Sequence, residues 1–438
     1  MKKSKIGCLC IISLSCLLAA CQGAPKNESS DLQESKNGQQ NGSVSDNGTD
    51  KPDKITIIST TDDVALFEHV GGQYEEKYGI AVEVISQAYD NTHQKIATSF
   101  SGRTDADLVY VDVPWAAEFG DLGITMDLNS YMTEEFKASF VDATLEQLVY
   151  DGKTQAIPFA NNGKWMFYNK KILEEGGYEN PPATWDELES MSKDLMEQGL
   201  VKYGIAWAGK QAEGLICDMT TMLYAFGGQW MDDQGKMVFN SPEGVQGLSV
   251  MTDSIKEGWA DPASLSYGDR ENLDPFMAGD VAFVMNWSFA WELANDPDES
   301  EIAGDVGICL VPGNGTVTSA AVTGGGGIGI ISTSDSPEYA WKFIEILVSP
   351  DNQKFALENN GTLPTLKALY EDPQLLEKYG YLELMYPQYE YSQFRPQLAD
   401  YSEWSTMLQP KISAALLGDL SPEEALDQAA EESLKFTK

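Results

Sequence analysis

Histidine is almost missing from this chain, with His69 and His93 the only two in 438 residues. Neither stands in an HExxH pattern, and GxSxG, GxxxxGKS/T and the glycine-rich dinucleotide fingerprint are absent too. Metalloprotease, nucleophile-elbow and phosphate-cradle chemistry therefore have no motif to rest on. Both histidines fall in segments with helical spacing, where a surface or boundary role is the ordinary one. A glycosidase needs two carboxylates and no histidine, but nothing singles out a pair among 68 acidic residues.

Positive charge is scarce as well. Twenty-nine Lys and Arg face 68 Asp and Glu, a formal net charge of −39. Phosphate backbones and anionic lipid surfaces need clustered Lys and Arg, so neither is a partner here, nucleic acid included. An anionic solute is disfavoured on the same ground, whereas a neutral one is not. Cysteine is sparse beyond the first 21 residues, where only Cys217 and Cys309 remain. Two residues so far apart give no disulfide framework and no CxxC metal pair, and they read as small buried apolar side chains. No metal and no cofactor is expected.

Long apolar runs are confined to the start, "MKKSKIGCLCIISLSCLLAACQG". Lys2, Lys3 and Lys5 form a basic region and Ile6 to Ala20 an apolar core too short for a permanent span. Leu18-Ala19-Ala20-Cys21 has the order of a bacterial lipobox, in which the signal (residues 1–20) is cut before the cysteine and Cys21 carries acyl chains such as palmitate. Cys8, Cys10 and Cys16 would leave with the signal. Residues 21–53 follow as a tether rich in Ser, Asn, Gly, Gln and Asp. Such a segment buries too little surface to offset its ordering entropy, and its root-mean-square reach is roughly 30 Å. A lipid anchor and a tether keep the folded body close to the outer face of the cell membrane.

That body, from residue 54 on, exceeds what one hydrophobic core usually serves, so two lobes are expected. "DKITIIST", "IAVEVISQ" and "ADLVYVDVP" read as buried strands, and "DVALFEHVGGQYEEKYG" and "NTHQKIATSFSGRT" as the helices between them. The alternation implies a parallel α/β sheet, in which ligands bind beyond the carboxyl ends of the strands. Those ends nominate Thr60, Thr61, Asp62, Asp112 and Trp115. In "FANNGKWMFYNK", Trp165, Phe167 and Asn169 share one face of a strand and Met166 and Tyr168 the other, after an irregular crossover over 158–163. Thr184 with Glu187, Ser241 and Ser421 are read as helix caps. The run Gly324 to Gly327 precedes a strand, the wrong order for a phosphate cradle.

Aromatic and amide residues gather near the predicted loops and strand ends: Trp115, Asn161, Asn162, Trp165, Trp207, Trp230, Trp287, Phe289, Trp291 and Trp404. Sugar rings present apolar C–H faces and hydroxyl rims, which ask for flat aromatic platforms with Asp, Asn, Gln or Arg at the edge. Trp185, Trp259 and Trp341 sit at helical positions and are assigned to the core.

The segments "ADLVYVDVPWAAEFGDLG", "IPFANNGKWMFYNKKILEEGGYENPPATWDEL", "AFGGQW", "FMAGDVAFVMNWSFAW", "GGGGIGIISTSDSPEYAWKFIEIL" and "SPEEALDQA" occur in that order behind a lipobox and tether. In this the chain resembles the extracellular solute-binding lipoproteins of bacterial ABC importers, in the carbohydrate branch that includes maltose-binding protein. The resemblance implies a non-enzymatic, monomeric receptor with a two-lobe periplasmic-binding-protein-like α/β fold and a sugar held in the cleft between lobes. It implies lobes at 54–158 plus 328–372 and 163–323 plus 373–438, hinge crossings at 159–162 and 324–327, and delivery to an ABC permease. Carried over residue by residue, Asp112 and Trp115 match the first lobe's cleft loop. Asn162 matches a position that holds a carboxylate in maltose-binding protein. Trp287 or Phe289 matches the second lobe's aromatic subsite, and Trp404 approximately matches a C-terminal stacking tryptophan. Arg395 precedes it within reach of the cleft, and Gly325 on the return crossing is counted with the site. A polyamine, peptide or metal complex in the same cleft is the rival solute, and a secreted glycosidase the rival class.

Overall fold

Chain order dictates the first sheet. Lys54–Thr60 (β1), Ala81–Gln87 (β2) and Leu108–Asp112 (β3) alternate with the helices Val64–Tyr78 and Tyr89–Ser101, and such units close as parallel sheets. β1 pairs in parallel with β2, from Lys54↔Ala81 to Thr60↔Gln87, and with β3 at Ile57↔Leu108 and Ile58↔Val109. The central strands β1 and β3 are buried almost throughout, whereas β2, at the edge, alternates between exposed and half-buried residues over its first half. The computed structural model from which this description is drawn covers residues 51–103 and 106–437. The expected signal peptide, Cys21 and the tether as far as residue 50 lie outside the described residues.

A short hairpin, Val149–Tyr150 (β4) with Lys153–Thr154 (β5), leads into Ile157–Gly163 (β6) and Trp165–Asn169 (β7). Tyr203–Ala206 (β8), Val281–Asn286 (β9) and Val306–Cys309 (β10) complete a second sheet in the order β10-β7-β9-β8. Ala321–Ile330 (β11) returns the chain to the first sheet, whose order is β12-β11-β3-β1-β2, where β12 is Ser392–Gln393. β6 also pairs with β11, antiparallel from Thr323↔Gly163 to Ile328↔Ile157. The chain thus passes between the sheets through β6 to β7, through β11, and again beyond β12 into the helix Tyr401–Leu417. Among the described residues no helix is long and apolar enough to cross a membrane.

Two readings of the sequence need correction here. Residues 158–163 are not an irregular crossover: their backbone groups pair with β11, and only a register shift at Gly326/Gly327, opposite Pro158, interrupts the ladder. The glycine run does not precede a strand either, because Gly324 to Gly327 lie within β11. Their lack of side chains reflects crowding. A Cβ on Gly326 would stand 2.4 Å from the Tyr110 ring, and one on Gly324 would stand 2.7 Å from the Trp287 ring.

The pleat of β7 divides its side chains as the alternation implies. Trp165 and Phe167 enter the apolar cluster that also fills the first sheet, while Met166 packs into a second cluster with Trp185, Trp207, Trp230 and Trp404. The core beneath the first sheet therefore runs on under one face of the second. Caps behave as read: Ser421 and Glu424 form a reciprocal capping box, and Ser241 Oγ accepts from Gly244 N–H. Thr184 Oγ1 accepts from Glu187 N–H, but the Glu187 carboxylate takes the N–H of Ala183 instead of the cap's own. Cys217 is buried, Cys309 half-buried, and neither is bridged. Burial pushes both thiols up, that of Cys309 to about 12.

Candidate functional site

Where a parallel strand ends, backbone N–H groups and the following loop face outward together, so strand ends collect polar chemistry. β3 ends on Asp112, which is 5% exposed. Its Oδ1 accepts the Val113 N–H at 2.9 Å and its Oδ2 accepts the Tyr89 hydroxyl at 2.5 Å. Burial pushes the Asp112 carboxyl up, while the Arg395 guanidinium and the Tyr89 hydroxyl pull it back. Trp115 opens the next helix, Trp115–Asp121, and is packed among Tyr89 at 5.6 Å, Tyr110 at 5.8 Å and His93 at 5.1 Å between ring centroids. At the end of β1, Thr61 and Asp62 are exposed. Asp63 beside them accepts from Thr60 Oγ1 at 2.7 Å, and burial lifts its carboxyl to about 6.

Arg395 meets this end of the first sheet from the connector beyond β12. Its Nη2 is 3.9 Å from Asp112 Oδ1, and its Nη1 donates to Glu213 Oε1 at 2.8 Å. Glu213 opens the helix Glu213–Ala225 of the second lobe. It also accepts the hydroxyls of Tyr401, at Oε1, and of Ser405, at Oε2 and 2.5 Å. The lobes touch nearby as well, where Ser402 Oγ donates to Glu118 Oε2 at 3.0 Å and lies 3.4 Å from His93 Nε2; within the first lobe, His93 Nε2 is 2.8 Å from Glu118 Oε1.

A second cluster forms where β6 passes into β7. Lys164 lies between the two strands and is fully buried. Its ammonium donates to Asp218, also fully buried, and to Asp269 Oδ1 at 2.8 Å, and it lies 5.2 Å from the centroid of the Trp287 ring. Burial alone would lower the lysine, but the two carboxylates outweigh it and hold the ammonium above its ordinary range. Burial pushes Asp218 up, against Lys164 and the Ala208 N–H, and each of its carboxylate oxygens has a donor, Oδ1 the Lys164 ammonium and Oδ2 the Ala208 N–H. Asn162 belongs to the same neighbourhood, its Oδ1 accepting the N–H of Ser288 at 3.2 Å. Trp287 is half-buried and close against Gly324, and Gly325 holds φ +107, where a Cβ would stand 2.3 Å from Ala160 O.

The expected site residues therefore separate. Asp112, Trp115 and Arg395 come together, as do Asn162, Trp287, Gly324 and Gly325. Asn161 is buried and occupied in the crossing itself, donating to Tyr370 Oη at 3.2 Å. Phe289 and Trp291 are half-buried on the following helix, with Trp291 tilted against Tyr381. Trp165, Trp207, Trp230 and Trp404 correct the expectation. Each is at most 1% exposed, and each indole N–H is bonded inside the protein, to Met385 O, Ser254 Oγ, Thr220 Oγ1 and Ser433 Oγ respectively. A tryptophan with both faces packed is a core residue (as are Trp185, Trp259 and Trp341). Sequence reasoning missed Tyr89, Lys164, Glu213, Asp218, Asp269 and Tyr401. Lys164 alone carried a signal, as the one cation inside the aromatic stretch Phe159 to Asn169.

Residues 58–354 match the bacterial extracellular solute-binding protein family, and the chain belongs to that family, whose members bind and do not catalyse. The maltose-bound MalE3 of T. maritima is 32% identical, with a TM-score of 0.78 over 86% of this chain and 98% of its own. An ABC transporter solute-binding protein from Thermotoga lettingae TMO, bound with α-D-tagatose, is 28% identical with a TM-score of 0.77 over 88% and 99%. A third, from Agrobacterium radiobacter K84 in complex with ribitol, is 27% identical with a TM-score of 0.77 over 88% and 100%. The two-sheet α/β architecture is the periplasmic-binding-protein fold of these proteins.

Proposed function

We propose that the protein is a lipid-anchored extracellular receptor that binds a sugar or polyol between its lobes and hands it to the permease of an ABC importer. The observation that carries this reading is the meeting of Asp112, Arg395 and Glu213, groups from opposite sides of the cleft; the half-buried indole of Trp287 belongs to the separate cluster around Lys164 and Gly324. Relatives sharing 27–32% of their sequence with this chain hold maltose, tagatose and ribitol, which are neutral and rich in hydroxyls, as the excess of acidic residues favours. In this reading the lobes comprise 54–158 with 328–372 and 163–323 with 373–438. Asp112, Arg395 and Asn162 bond the solute's hydroxyls, Trp287 stacks on it, and Thr61 and Asp62 form the rim. Solute touching both lobes favours the closed form by its differential affinity for the two states. Cys21 would carry the anchor.

The test is the melting temperature of the protein against mono-, di- and oligosaccharides, polyols and polyamines. A ligand at 100 times its Kd adds about 2.7 kcal/mol of stability. A shift with one carbohydrate class, without turnover, supports the receptor and identifies its solute. A response to polyamines alone overturns the site chemistry, and hydrolysis of an oligosaccharide overturns the receptor. For the anchor, Cys21→Ser should release the protein from membranes into the medium. Continued membrane association would refute acylation.

A further inference from the structure

Lys164 and Arg395 are the only buried Lys or Arg side chains among the described residues, and Arg395 alone is shared between lobes. Its two carboxylates come from opposite sides, Asp112 from the end of β3 and Glu213 from the first turn of the helix Glu213–Ala225. Each is held by its own lobe: Asp112 by the Tyr89 hydroxyl and the Val113 N–H, Glu213 by the hydroxyls of Tyr401 and Ser405. Both anions are thus in position whether or not the lobes meet. Bringing a buried carboxylate and a second one only 23% exposed together is opposed by desolvation and by like-charge repulsion unless a cation joins them. The guanidinium is that cation, with Nη1 on Glu213 and Nη2 toward Asp112. Of its five N–H donors, the Nε–H is buried and has no acceptor within the protein. A buried donor without an acceptor costs free energy until an acceptor arrives.

We propose that Arg395 couples solute to closure. It is the counter-ion that lets Asp112 and Glu213 approach, and its Nε–H is the donor that an uncharged oxygen of the solute, hydroxyl or ring ether, accepts. Closure without solute leaves that donor unpaired; closure on a neutral, oxygen-bearing solute completes it. An anionic solute is rejected at the same point, since it would bring a third negative charge to a guanidinium already divided between two. The solute contact rests on the function proposed above, whereas the counter-ion role does not.

The experiment measures two quantities on the full chain. Small-angle scattering gives the closed fraction without solute. Titration calorimetry gives affinity for maltose, ribitol and D-tagatose, with D-glucuronate as the anionic counter-probe. Arg395→Gln should lower the closed fraction about tenfold, toward the lower end of ordinary coupling energies. Adding Glu213→Gln should restore most of it, because one of the two repelling anions is gone. The double variant should still bind the neutral probe about tenfold more weakly, lacking the Nε donor. Arg395→Lys keeps the charge and should close like the wild type while showing the same loss of affinity. It serves as the test if Arg395→Gln does not fold.

A closed fraction unchanged in Arg395→Gln, or not recovered by Glu213→Gln, overturns the counter-ion role. Probe affinity within twofold of wild type in both Arg395 variants overturns the solute contact, as does glucuronate binding more tightly than the neutral probes. If no probe binds the wild type, the proposed solute class is wrong, and the scattering comparison alone decides the clamp.

Discussion

Lys164→Met should be among the most damaging single substitutions in the second lobe, although it shortens the unbranched side chain by only one heavy atom. Lys164 and Asp218 are both 0% exposed, and the methionine would leave the Asp218 carboxylate in the interior. Its remaining donor would be the Ala208 N–H at 3.0 Å, with Asp269 adding repulsion from the partly exposed side. Removing one partner of a buried ion pair costs about 3–5 kcal/mol, roughly a fifth or more of a typical folding free energy of roughly 5–15 kcal/mol. Urea unfolding of the wild type, Lys164→Met and Lys164→Met/Asp218→Asn measures this. The double variant should recover at least half of the loss, since the uncompensated charge has gone while the Ala208 N–H keeps an acceptor.

pH supplies an independent reading of the same cluster. In the wild type the lysine is raised above its ordinary 10.5, so its contribution is fully present below that value and is lost only as the pH climbs through the raised folded value. In Lys164→Met the relevant group is Asp218, whose folded carboxyl rises further from 3.8 once its cation is removed. The folded variant then binds a proton that the unfolded chain releases, and its stability grows as the pH falls from 7 toward 5. A loss below about 1 kcal/mol, or one that does not change between pH 7 and pH 5, would refute the buried-pair reasoning.

Trp404→Ala should cost about 3–5 kcal/mol of stability as a core truncation. Trp287→Ala should cost far less and act on solute affinity instead; calorimetry and urea unfolding of both variants check the split, and the opposite pattern would return Trp404 to the site. Asp63 is raised to about 6 by burial, so its charged form opposes folding above that pH. Asp63→Asn should therefore be more stable than the wild type at pH 7, with the advantage fading as the pH falls through 6 toward 3.8, as denaturation midpoints at pH 7, 5 and 4 will report.

The first sheet was legible because β1 and β3 are short, β-branched runs set between helices with clear spacing, and chain order then leaves little topological choice. Caps were legible for a similar reason: Ser241 and Ser421 act within three residues of themselves. The tryptophans were not. Periodicity tells which face of an element a side chain occupies, but not how deep that face lies. Trp207 and Trp287 each follow directly after a strand, yet the first stacks on Trp185 in the core and the second lies half-exposed on Gly324. The difference comes from elements far away in sequence, which no local pattern encodes. Glu213, Asp218 and Asp269 escaped for a related reason, because in a chain with 68 acidic residues a functional carboxylate looks like any other.

Scarcity, by contrast, was informative in a way that composition alone did not reveal. Burying a cation is expensive because it must leave water, and among the described residues the fold does so only at Lys164 and Arg395. Each is divided between two carboxylates, Asp218 with Asp269 and Asp112 with Glu213, so each cluster retains one negative charge. The net charge read from the sequence made an anionic solute a poor guess on average grounds. The two clusters give that exclusion a local cause, since neither buried cation has charge left to offer a solute. Only the Arg395 cluster stands between the lobes, where the proposed closure brings Asp112 and Glu213 together.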